Sequence, residues 1–134
     1  MQRVQNTAAR TVTSTSKYEH ITTVLTDLHW LPVAARIDFK IAVLTFKAPA
    51  TNRPSYLHEL LHPHKPPRTL RSSSRNLLSL PRSRTTFARR SFACVAPRVW
   101  NSLPGTITDN LNITVPTFKS KLKTHLYACC YLGL

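Results

Sequence analysis

Between Glu59 and Asp109 the chain has no acidic residue, yet it carries Lys65, Arg68, Arg71, Arg75, Arg82, Arg84, Arg89, Arg90 and Arg98 there. Guanidinium groups at this density hold polyanions. Each is a planar fork of donors that fits phosphate oxygens two at a time and stacks on flat rings. Arg68, Arg71, Arg75, Arg82, Arg84, Arg89 and Arg90 form the candidate nucleic-acid contact. Phosphate bonds from such a set would give affinity that is strong, salt-sensitive and largely independent of sequence. An acidic protein surface and a plain solvated face are the other readings of the same charge. Ser72, Ser73, Ser74 and Ser83 lie in this stretch, and phosphorylation there would reverse its local charge.

Other chemistries lack their residues. Metal-dependent polymerases and nucleases need clustered carboxylates to hold two cations. Here Glu19, Asp27, Asp38, Glu59 and Asp109 are scattered singly. A glycine-rich phosphate cradle has no basis in two glycines, Gly105 and Gly133. His58, Glu59, His62 and His64 are the densest titratable group. His58 and His62 have the i, i+4 spacing of helical zinc ligands, but Pro63 puts His62 and His64 on a loop. Cys94, Cys129 and Cys130 show no C-x-x-C spacing and read as reduced thiols. No metal, cofactor or catalytic residue is expected.

The elements that must position the arginines follow from composition and period. At 134 residues with a net charge of +14, the chain suits one basic domain over 1–134. Scarce glycine and ten prolines disfavour tight hairpins and favour short helices with hard stops. The expected class is mainly α, with about five or six short helices and room for one small β-hairpin over 77–88.

Val4, Ala8 and Val12 mark a first helix, followed by a polar break over 13–17. Ile21, Val24, Leu25 and Leu28 form a second stripe that ends at Trp30-Leu31-Pro32. The clearest helix spans 33–48, with Val33, Ile37, Ile41, Leu44 and Ala48 facing inward and Phe39, Val43 and Phe46 widening the face. Pro49 is expected to close it. A two-turn helix over 54–61 stops at Pro63, and 62–76 is a flexible basic loop. Leu77-Leu78-Ser79-Leu80 reads as a short strand that Thr85-Thr86-Phe87 could continue. Phe92, Val95, Val99 and either Phe87 or Trp100 follow at roughly helical steps interrupted by Pro97. A loop over 104–112 leads to the last helix, 115–130, with Val115, Phe118, Leu122, Leu126 and Cys129 inward and Lys119, Lys121 and Lys123 in water. Trp30 and Trp100 each sit among Leu, Val and Pro beside a helix end, and so are expected as core anchors rather than base-stacking platforms.

The literal strings add a resemblance. Arg3-Val4-Gln5-Asn6-Thr7-Ala8-Ala9-Arg10, Tyr18-Glu19-His20-Ile21-Thr22 and Leu28-His29-Trp30-Leu31-Pro32-Val33 come first. Pro54-Ser55-Tyr56-Leu57, Leu70-Arg71-Ser72-Ser73 and Leu80-Pro81-Arg82-Ser83-Arg84 follow. Trp100-Asn101-Ser102-Leu103-Pro104 and Phe118-Lys119-Ser120-Lys121-Leu122-Lys123 complete the series. In this order, over about residues 3–128, the blocks resemble the C-terminal region of a LINE-type non-LTR retrotransposon reverse transcriptase. The stretch 48–54 departs from the family by lacking its glycine.

The resemblance implies a region downstream of the polymerase active site of a multidomain endonuclease and reverse transcriptase. It also implies a piece of a longer element, with Met1 in the middle of the expected protein. Such a region would contact template RNA or target DNA, or brace the polymerase. No catalytic residue carries over, because the family's Asp-Asp motif lies upstream. The expected partners are RNA or DNA and an upstream polymerase domain. No membrane partner is expected, since no apolar run approaches the ~20 residues of a spanning helix and the first residues lack a secretory apolar core. The expected location is intracellular, nuclear or cytoplasmic. A protein-interaction module and a relic without function are the alternatives.

Overall fold

Proline and the near-absence of glycine shape a chain of short helices joined by turns. A computed structural model describes residues 1–51, 54–66, 68 and 75–133. These are mainly helical, as the periodicities predict. In chain order the elements are α1 (Gln2–Thr13), α2 (Ile21–Asp27), α3 (Val33–Thr51), α4 (Ser55–Glu59), a 3-10 turn (Ala88–Arg90), α5 (Phe92–Ser102), α6 (Gly105–Thr108) and α7 (Val115–Tyr131).

Several expectations are corrected. Pro49 does not close α3 but lies inside it. The stretch expected as a loop over 104–112 contains α6, with Ile107 and Thr108 buried. There is no hairpin over 77–88 among the described residues. Leu78 instead forms a single antiparallel bridge with Pro63, flanked by His64 N–H to Leu77 O and Ser79 N–H to His62 O, each at 2.8 Å. The N–H and C=O of Leu78 find their partners on Asn101 of α5, so no second strand is needed there. Of the two alternatives for the stripe that ends at Trp100, Trp100 is buried and Phe87 is 87% exposed. The expected flexible loop over 62–76 falls partly outside the described residues.

The chain divides into two compact units, one of residues 1–39 and 122–134 and one of residues 40–121. In the first, Ala9, Val24 and Leu25 form a buried cluster, with Ile21, Leu28, Trp30 and Tyr131 packed on it. The inward face of α1 is not Val4, Ala8 and Val12. Gln5 and Ala9 are buried, while Val4 is 72% and Val12 65% exposed. A hydrogen-bonding demand explains the rotation. Gln5 Nε2 donates to Leu31 O at 2.8 Å, and Gln2 Oε1 accepts from Val33 N–H at 2.8 Å. Pro32 has no N–H of its own, so these glutamines satisfy the backbone on both sides of it.

Both of the first helices end in a left-handed residue. After α2, His29 has φ 53°. His29 N–H bonds Thr26 O and Trp30 N–H bonds Leu25 O, each at 2.9 Å. This is a Schellman closure, with Trp30 and Leu25 meeting in the same cluster. Ser14 closes α1 in the same way. The Arg10 guanidinium then gathers the carbonyls of Lys17 at 2.6 Å and Glu19 at 2.9 Å, and so holds the polar break.

The second unit is built on an aromatic stack. Phe46 of α3 and Phe118 of α7 lie 4.1 Å apart at 6°. Trp100 of α5 stacks on Phe118 at 6.0 Å. Leu122, at the start of the other unit's α7 segment, is fully buried, whereas Cys129, expected inward, is exposed. On α3 the buried residues are Ala35, Ala42, Val43, Thr45, Phe46 and Ala48, and Ile37 is 54% exposed. Of the expected inward stripe only Ala48 is buried, while Val33, Ile41 and Leu44 are half-buried; apolar residues surround most of this helix, and in the second unit the face bearing the largest ring, Phe46, is the one buried.

Candidate nucleic-acid interface

The charge is unevenly divided. Residues 40–121 hold fourteen Lys/Arg against two acids, Glu59 and Asp109, while the remainder hold five against three. The arginine stretch therefore belongs to the unit with almost nothing to neutralise it.

Its footing is α5. Trp100 Nε1 donates to Asn76 O at 2.7 Å. Asn101 accepts from Leu78 N–H at 2.9 Å and donates to Leu78 O at 2.8 Å. Asn76 Nδ2 donates to Thr108 O at 3.2 Å and Asp109 O at 3.1 Å. The segment that leads into Arg82 and Arg84 is thus held by side chains of α5 on one side and by its single bridge to Pro63 on the other.

Beyond it, Thr85 caps the 3-10 turn, with Oγ1 accepting from Ala88 N–H at 3.1 Å. Arg89 N–H bonds Thr85 O and Arg90 N–H bonds Phe87 O. Ser91 Oγ donates to Ala88 O at 2.7 Å, and α5 follows at once. This turn carries Arg89 and Arg90, with Arg82 and Arg84 shortly before it. All four are exposed, and none is ion-paired among the described residues. The exposed ring of Phe87 lies in sequence between Arg84 and Arg89.

The other sequence candidates separate. Arg75 is half-buried and serves the fold, with Nη2 donating to Leu103 O at 3.1 Å and Nε buried without a partner. Arg68 is exposed. Arg71 lies outside the described residues. His58, Glu59 and His62 line a cavity of about 640 Å3 together with Leu61, Leu77 and Trp100. Among the described residues no group of three His, Cys, Asp or Glu side chains could hold a metal. Cys94 is buried, and Cys129 and Cys130 are exposed free thiols. Burial pushes the Cys130 thiol above its ordinary range, with Cys129 and Asp38 adding to the effect. No described helix is long and apolar enough to cross a membrane.

Sequence reasoning missed the work of Asn76 and Asn101, because isolated asparagines in a loop and a helix carry no periodic signal. The Trp100-Asn101 phrase was visible, but only as a junction. No family model, curated protein or solved structure matches the chain.

Proposed function

We propose that this chain is a non-catalytic module that binds the backbone of RNA or DNA. It would act as an appendage of a reverse transcriptase of the LINE type, whose C-terminal region it resembles. One observation carries the reading: four exposed, unpaired arginines, Arg82, Arg84, Arg89 and Arg90, flank an exposed Phe87 on a hydrogen-bonded turn. Arginines supply sequence-independent phosphate contacts, and an exposed ring suits an unstacked base.

The test is fluorescence anisotropy of labelled single-stranded RNA and duplex DNA at low salt. Saturable binding is expected, weakened in the R82A/R84A/R89A/R90A variant with its circular dichroism unchanged. Absence of binding, or equal affinity in that variant, overturns the proposal.

A second reading has its own support. Val4 and Val12 stand exposed on one face of α1 with Ala8 and line a shallow apolar groove. A module that packs against a polymerase domain would use such a face.

A further inference from the structure

The first unit holds a cavity of about 380 Å3 that is lined by Trp30, Phe39, His29, Arg36 and Lys123. None of these residues belongs to the arginine stretch. The lining combines three flat rings with two cations. Arg36 and Lys123 are exposed, and neither is paired with a carboxylate among the described residues.

Trp30 is half-buried, with its ring packed on Ala9, Val24 and Leu25. The indole N–H of Trp100 is bonded, but that of Trp30 has no acceptor among the described residues. The Trp30 backbone is fixed at both ends, by N–H to Leu25 O at 2.9 Å and by Tyr131 OH donating to Trp30 O at 2.6 Å. His29 keeps the left-handed conformation that side chains seldom adopt. Its ring stacks on Tyr127 at 5.7 Å and 16°. The Trp30 and His29 side of the cavity is therefore held in place before any ligand arrives, which lowers the ordering cost of binding.

A neutral apolar ligand has no use for two unpaired cations, and a bare anion has no use for three rings. A nucleoside phosphate uses both. The volume also falls in the usual range for small-ligand sites, roughly 300–1,000 Å3. We propose that this cavity is a subsite for one nucleotide unit of a single-stranded nucleic acid, with the base against Trp30 and Phe39 and the phosphate on Arg36 and Lys123. It goes beyond the arginine-stretch reading and stands on different residues, so the two fail separately.

The experiment is a titration of tryptophan fluorescence in the full chain with AMP, adenosine, inorganic phosphate and a four-nucleotide adenylate strand. AMP and the strand are expected to quench saturably, the strand more tightly. Adenosine and phosphate are expected to bind at least about tenfold more weakly. R36A/K123A, two exposed positions, is expected to lose about tenfold in affinity with unchanged circular dichroism. Trp30→Phe is expected to remove the quenching while Trp100 emission remains. R82A/R84A/R89A/R90A is expected to keep the AMP response. Phosphate binding as well as AMP, quenching that survives Trp30→Phe, or affinity indifferent to R36A/K123A each overturns the proposal. A strand that binds more weakly than AMP assigns the cavity to a free nucleotide and overturns the single-strand reading.

Discussion

The indole N–H of Trp100 donates to the carbonyl of Asn76 at 2.7 Å, across 24 residues of chain. The same side chain stacks on Phe118 in the core of its unit. One tryptophan thus joins the aromatic stack to the segment that leads into the arginines, and Asn101 beside it completes the hold on Leu78. Asn101→Ala removes two hydrogen bonds and leaves half-buried backbone groups of Leu78 unpaired. The expected cost is about 2 kcal/mol, read as a lower urea midpoint by circular dichroism. A loss below about 0.5 kcal/mol contradicts the role given to Asn101.

Gln5 is the counterpart in the first unit. Its buried amide donates to Leu31 O across the Trp30-Leu31-Pro32 turn. Gln5→Leu keeps the volume and adds apolar surface, so a purely hydrophobic account predicts a gain. Loss of the only side-chain donor to that carbonyl among the described residues predicts a destabilisation of about 1–3 kcal/mol. The sign of the change in urea midpoint decides between them.

His29 tests the left-handed closure of α2. A β-branched side chain is strained at φ 53°. His29→Val is expected to cost about 1–2 kcal/mol, and His29→Gly less than His29→Val. The order of the two melting temperatures is the measurement, and a valine variant as stable as the glycine variant refutes the strain.

Asp38 sets an expectation for pH. Desolvation by burial raises its pKa above the ordinary 3.8. A raised folded-state value means that the protonated form is favoured by folding, so this contribution is full below the unfolded pKa and is lost as pH rises through the folded one. Asp38→Asn is expected to flatten stability against pH just above the ordinary carboxylate range and to leave neutral-pH stability equal or higher. A variant less stable at neutral pH, with the slope retained, contradicts it.

The helices were largely legible because their signals are local. The stripe of Ile21, Val24, Leu25 and Leu28, the prolines near helix starts and the Phe118 and Leu122 face each depend on a few adjacent residues. Faces governed by distant partners were not legible. Gln5 turned α1 away from its apolar stripe to serve a backbone 26 residues on, and Asn101 took the place of a strand partner for Leu78. The arginine stretch was readable as charge, because charge survives any fold. Which arginines are free was not: Arg75 looked like its neighbours until Leu103 O claimed it. The Trp30 cavity was hidden too, since Arg36 and Lys123 lie on different helices far apart in sequence.

The central claim is that Arg82, Arg84, Arg89 and Arg90 hold nucleic-acid phosphate, and the slope of log affinity against log salt tests it most directly. Each phosphate contact on a single strand contributes a slope of about −0.7 through counterion release. Over roughly 50 to 200 mM salt, the R82A/R84A/R89A/R90A variant should show a slope shallower than the native chain's by about 3. Equal slopes for the two proteins would contradict the claim.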